Sequence, residues 1–198
     1  VAGLHVTETG TVTGVDMTTE QVEKAKDLAA DNGFHNLTFR EGYIEDLPFE
    51  DASFDAVISN GVINLSAEKG TVFEEANRVL KPGGKMVFTD PMRTDNCPVE
   101  ELGPILARLQ LEDLASPGFY RETLKKLGFE EVLFEDHTEQ LANHYQRVHD
   151  ETVARESELL EVVSKDYIEP MKTGLQHWVE GGRKGRLTWG IFVFKKKA

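Results

Sequence analysis

Cysteine is nearly absent from this sequence. Of 198 residues only Cys97 carries a thiol, which excludes an internal disulfide and any cysteine cluster for a metal. An intracellular, cytoplasmic location is the expectation. Positive charge is also scarce: 22 Lys and Arg stand against 35 Asp and Glu, a formal net charge of -13. That balance argues against nucleic acid and against an anionic membrane surface as partners. A solvated acidic surface and adaptation to a salty cytoplasm both account for it, and composition does not separate them. No hydrophobic run approaches a membrane span. There is no initiator methionine and no signal-like start, so the natural N-terminus is expected to differ from Val1. What remains, with 39% hydrophobic residues, suffices for a single domain with a proper core.

Alternation of apolar patterns organises the chain. Residues 11–16 read as a strand, and Thr18-x-x-Gln21 has the form of a capping box opening a helix that ends at Asn32-Gly33. Strands follow at 37–40 and at 54–60, the latter apolar enough to predict burial on both faces. A helix carrying Val72, Phe73, Ala76, Val79 and Leu80 stops at Lys81-Pro-Gly-Gly84, before a strand over 85–90. Strands alternating with helices predict a parallel, doubly wound sheet. Such sheets bind ligands at the carboxyl ends of their strands. Those ends carry Asp16, the loop Tyr43-Ile44-Glu45, Asn60 and Asp90.

Beyond residue 90 helices dominate. They are predicted over 99–114, 118–127, 139–163 and 166–180, with a break at Gly181-Gly182. A strand at 129–136 interrupts them, and a last strand at 187–194 closes the sheet. The division is therefore a core over 1–97, a mainly helical cap over 98–184 and a closing strand over 185–198, all within one domain.

The strings Gly14-Val-Asp16, Asp46-Leu-Pro-Phe49, Ser53-Phe-Asp55 and Arg78-Val-Leu-Lys-Pro-Gly-Gly84 stand in an order that resembles class I methyltransferases using S-adenosylmethionine. Ile58-Ser-Asn-Gly-Val-Ile-Asn-Leu-Ser66 is similar to arsenite methyltransferases. Asp90-Pro-Met92, His144-Tyr145 and the run from His177 to Gly190 resemble sarcosine/dimethylglycine N-methyltransferases instead. Arsenic binds through several thiolates, and one cysteine does not supply them. The resemblance implies a Rossmann-like, doubly wound, mostly parallel α/β sheet with a helical cap before the last strand. The family's first strand and glycine turn would precede Val1, with Val1-Ala-Gly-Leu4 resembling the tail of the following helix.

The resemblance also implies roles. Asp16 would grip the ribose, and Met17 would lie beside the adenine. Ile44 and Glu45 would contact the adenine, and Asn60 would hold the cofactor's polar tail. Transfer to a small amine or amino-acid acceptor needs no metal, because positioning supplies most of the acceleration. Tyr120, Tyr145, Trp178 and Trp189 would surround the nitrogen as it becomes cationic, and Met92 would help to bind the acceptor. Arg183 or Arg186 would bind the acceptor carboxylate. His144 and His177, with Tyr145, would donate to that carboxylate or take the amine's proton. For each of these side chains, ordinary packing or a solvated surface is the competing reading. Another small acceptor, or a non-catalytic piece lacking the cofactor loop, are the alternative functions.

Overall fold

The computed structural model describes Val6 and residues 9–197, so the resemblance of Val1-Ala-Gly-Leu4 lies outside the described residues. Among the described residues six strands form two sheets. Strand β1 (Val12–Asp16) pairs in parallel with β2 (Leu37–Glu41), and helix α1 (Thr19–Asp31) packs against them. The second sheet runs β3 (Phe54–Asn60), β4 (Leu80–Arg93), β6 (Leu187–Lys196), β5 (Phe129–Asp136). There β3 and β4 are parallel, while β6 runs antiparallel to both neighbours. The Rossmann-like α/β class holds, and the last strand closes the sheet between β4 and β5. Helices α2 (Lys69–Val79) and α4 (Pro117–Lys126) cover one face of this sheet. Their side chains Phe73, Tyr120 and Leu124 meet Met86, Phe88, Phe192 and Phe194 in a layer sealed from water.

The expected burial of β3 on both faces is not met. Ile58 in its middle is 70% exposed, on the face opposite the one that the helices cover. The predicted capping box is also replaced. Thr18 makes no side-chain cap; its hydroxyl and its N–H both donate to Asp16 Oδ1, at 2.7 and 2.9 Å.

The cap has its own core. Helix α3 (Gly103–Leu109) ends earlier than predicted, at Gln110 with φ +56°, after a short 3₁₀ turn over Val99–Leu102. The long polar helix is α5 (Thr138–Ala154) followed by α6 (Glu156–Leu159). Helix α7 (Lys165–Arg183) runs straight through Gly181-Gly182, which therefore do not break it. A side chain at Gly181 would meet Leu187 Cδ1 at 2.7 Å, so glycine serves close packing there. The stop falls at Gly185, with φ +68°, where Arg186 N–H reaches back to the Gly181 carbonyl.

Two of the family strings, Asp46–Phe49 and Arg78–Gly84, meet at one residue. Arg78 of α2 donates to the Leu47 and Phe49 carbonyls and pairs with Asp51 and Glu75. Glu75 in turn accepts the Leu47 N–H at 2.8 Å, and its carboxyl is held below the usual range by Arg78. This clamp fixes the loop after β2 against the four-stranded sheet. Asp55 pairs with Lys81 at 2.9 Å, a surface contact rather than a ligand contact.

Candidate active site

Three of the expected cofactor contacts lie at strand or loop tips. Asp16 ends β1 in the open, and its carboxyl is held below the usual range by the bonds from Thr18. It is therefore an anion with Oδ1 engaged in starting α1 and Oδ2 outside those bonds. A cavity of about 250 Å³ opens beside it, lined by Gly14, Val15, Gln21, Val22, Ala25 and Phe39. Met17 is 64% exposed. Asn60 ends β3, also exposed, directly before Gly61, whose φ of +70° lets its N–H bond to the Thr89 carbonyl. The loop residues differ from expectation. Ile44 packs its side chain against the core, and Glu45 accepts a short hydrogen bond from Ser66 Oγ.

The carboxyl end of β4 holds a polar centre that pattern reading left without a role. Asp90 is fully buried on the same face as Phe88 and Met92, in the apolar layer. Tyr120 OH donates to its Oδ2 at 3.1 Å, while Oδ1 has no hydrogen-bond partner among the described residues. Burial pushes its carboxyl up to about 7, against smaller opposing effects of Tyr120, the Asn64 backbone and Lys69. Asn64, in the 3₁₀ turn Ile63–Leu65, donates to the Pro91 carbonyl at 2.7 Å and accepts the Ala115 N–H at 2.8 Å. It thereby ties the strand end to the segment that enters α4. Lys69, at the start of α2, donates to the Ser66 carbonyl and feels the charges of Asp113 and Asp90. Arg93 pairs with Asp113 at 3.0 Å.

The acceptor residues expected in the cap are mostly committed elsewhere. Met92 and Tyr120 are sealed in the core of the sheet. Tyr145 and Trp178 stack on each other at 4.8 Å inside the cap core, and burial pushes the Tyr145 hydroxyl up to about 12. Trp189 packs against that core and faces His137. These rings fill the cap and do not, as placed, form an open cation box. Arg183 donates to Gln146, and Arg186 pairs with Glu101 at 2.5 Å, so both guanidinium groups already have protein partners. His144 is exposed at the edge of the Tyr145 ring. His177 lines an open cleft of about 560 Å³ between α3 and α7, with Arg108 and Pro170. The functional candidates missed by pattern reading are Asn64, Lys69, Arg93 and Asp113. A lone acid closing an apolar strand was the available signal for Asp90; Lys69 and Asp113 gave none.

A profile of the methyltransferase domain matches residues 2–116, more than half of the chain. The chain belongs to the methyltransferase-domain family. A sarcosine/dimethylglycine N-methyltransferase of Halorhodospira halochloris is 46% identical over 186 residues, 93% of this chain and 67% of the relative. One from Aphanothece halophytica is 48% identical over 156 residues, 79% of this chain and 56% of the relative. The chain thus spans between about half and two thirds of the length of these relatives. A Galdieria sulphuraria crystal structure, provisionally assigned as a sarcosine dimethylglycine methyltransferase, superposes with a TM-score of 0.89 at 35% identity. It is matched over 94% of this chain and 70% of its own length. Among the described residues no helix is long and apolar enough to cross a membrane.

Proposed function

We propose that this chain carries the ribose side of the cofactor site and the acceptor cap of a cytoplasmic S-adenosylmethionine-dependent N-methyltransferase acting on sarcosine or dimethylglycine. The observation that carries this reading is the 46% identity to the Halorhodospira halochloris enzyme over 93% of the chain, cap included. The site fits the cofactor in one testable respect. Asp16 is an exposed anion beside a cavity, with an oxygen outside the Thr18 bonds for the ribose hydroxyls. When bound, the cofactor supplies an electrophilic methyl group.

The chain's own part is positioning. The Arg78 clamp holds the Tyr43–Asp46 loop at the carboxyl end of the sheet, and Asn64 fixes the strand end next to it. An amine acceptor must then arrive with its lone pair free and aligned. The arsenite reading is disfavoured because Cys97 is the single cysteine and is buried, its thiol pushed up by that burial. An acceptor screen of the full-length protein with labelled cofactor, comparing glycine, sarcosine, dimethylglycine and arsenite, tests the proposal. Transfer to dimethylglycine or sarcosine is expected. Transfer to arsenite alone, or to none of the four, would refute it.

A further inference from the structure

The string Ile58–Ser66 does more than end β3. Its 3₁₀ turn and the residue after it bury Ile63, Asn64 and Ser66, while Val62 and Leu65 are exposed. Two buried polar side chains in so short a segment are costly unless each is paired. Both are paired, and with different parts of the molecule. Asn64 bonds to the end of β4 and to the approach to α4. Ser66 bonds to the loop after β2 instead.

Asn64 brackets the buried pair at the strand end. Its Nδ2 donates to the Pro91 carbonyl at 2.7 Å, next to Asp90, and its Oδ1 accepts the Ala115 N–H at 2.8 Å, just ahead of the helix that carries Tyr120. Tyr120 OH and Asp90 Oδ2 close the circuit at 3.1 Å. Ser66 Oγ donates to the Glu45 carboxylate and accepts the Glu68 N–H at 3.0 Å. Glu45 is half-buried, and its side chain has no other hydrogen bond or ion pair among the described residues. Arg78 holds the far limb of that loop through the Leu47 and Phe49 carbonyls, and Ser66 holds the near limb through Glu45.

We infer that Ser66 and Asn64 are positioning residues with separate tasks: Ser66, through Glu45, sets the loop that serves the cofactor, and Asn64, through Pro91 and Ala115, sets the strand end that serves the acceptor. This rests on the proposed reaction, with the cofactor at the Tyr43–Asp46 loop and the acceptor at the carboxyl end of β4. Loss of the Ser66 hydroxyl frees the Glu45 carboxylate to swing into water, which shifts the loop tip and leaves β4 tied. Loss of the Asn64 amide leaves the Pro91 carbonyl and the Ala115 N–H unpaired in a dry place, so the strand end relaxes. The loop then keeps its Ser66 and Arg78 contacts. A merely structural role for either residue would move cofactor and acceptor parameters together.

The test uses the full-length protein, calorimetric titration with S-adenosylmethionine, and steady-state kinetics with dimethylglycine at saturating cofactor. Ser66→Ala is expected to raise the cofactor Kd about tenfold, the scale of one hydrogen bond to a charged group. Its kcat and its KM for dimethylglycine should stay within about twofold of the parent's. Ser66→Thr keeps the hydroxyl and should recover most of the affinity. Ser66→Ala combined with Glu45→Ala should bind cofactor no more weakly than Glu45→Ala alone, since the serine acts through the glutamate. Asn64→Ala should lower kcat for dimethylglycine about tenfold and leave the cofactor Kd within about twofold. Should Asn64→Ala fail to fold, Asn64→Asp decides: it keeps an oxygen for the Ala115 N–H, loses the donor to Pro91, and must show the same split. An unchanged Kd in Ser66→Ala, an unchanged kcat in the Asn64 variant, or a joint loss of both parameters in either one overturns the inference. A parent protein that binds the cofactor but methylates neither sarcosine nor dimethylglycine defeats the proposed function instead, and the Ser66 titration, which needs no acceptor, keeps the two failures apart.

Discussion

Two neighbouring rows of side chains cross the four-stranded sheet, one on each face. Ser59, Phe88, Phe192 and Phe134 are register partners on the face covered by α2 and α4. Ile58, Val87, Val193 and Leu133 are register partners on the opposite face. In the first row Phe88 and Phe192 are sealed. In the second, Ile58 is 70% exposed and Leu133 45% exposed, with the valines half-buried between them. Both rows are apolar enough for a core, and they differ in what lies over them. Hydrophobic patterning specifies which face seeks cover; the presence of a covering element decides whether it finds it. The same contrast separates the site into a rigid half, built on the covered face around Asp90 and Asn64, and an open half around Asp16.

The largest effect that tests this contrast is at the covered row. Phe192→Ala removes a sealed ring that stacks on Phe88 at 5.0 Å and should cost about 3–5 kcal/mol in urea unfolding. A loss below about 1 kcal/mol would mean that the aromatic layer is far looser than described.

The open half is sharpened by Asp16. Asp16→Ala should weaken binding of S-adenosylmethionine to the full-length protein by about 1.5–3 kcal/mol, measured by calorimetry. Because Asp16 also starts α1, Asp16→Asn is the necessary companion. Its amide oxygen still accepts the two Thr18 bonds, whereas its charge is gone. Weak binding in both variants assigns the carboxylate to the ribose; normal binding in Asp16→Asn leaves it a helix-starting residue.

The covered half contains a titrating group of opposite behaviour. Burial raises the Asp90 carboxyl to about 7 from a reference of 3.8. Between those values the folded protein holds a proton that the unfolded chain has lost. Stability therefore falls as pH rises through that window, by up to about 1.4 kcal/mol per pH unit, and levels off above it. The groups facing Asp90 are Tyr120, Asn64 and Lys69. Asp90→Asn should remove this part of the slope, so that its stability relative to the parent improves from pH 4 to pH 7. A constant difference across the window would show that Asp90 titrates normally.

Much of this arrangement was legible in the chain because it depends on local chemistry. The alternation of strands and helices, the acid at the tip of β1 and the closing strand follow from periodicity and turn residues. Two of the family strings proved to be one physical unit, since Arg78 binds the carbonyls of Leu47 and Phe49. What was not legible depends on long-range neighbours. The rings of Tyr145 and Trp178 read equally as a ligand box or as core until their stacking is seen. Arg183 and Arg186 read as carboxylate ligands because their partners, Gln146 and Glu101, are 37 and 85 residues away in sequence. Lys69 lay in a polar run with no signal, although tertiary structure sets it near two acids.

The smallest expected effect is the most discriminating for the two faces. Ile58→Ala deletes a side chain from the middle of β3, in the uncovered row. In a protein of residues 1–198 with the exposure described, little apolar surface is reburied by that isoleucine, so its truncation should change stability by no more than about 0.5 kcal/mol. The same substitution in a covered strand would cost about 2–5 kcal/mol, from lost burial plus the cavity left behind. Measuring it in residues 1–198 and again in the full-length protein turns the row into a probe of cover. A small effect in both leaves the face open to solvent. A small effect in the first and a large one in the second means that a further element lies on this face in the full-length protein, beside β3 and its tip at Asn60. A large effect in residues 1–198 would overturn the contrast itself, because Ile58 would then be buried in solution by part of this chain.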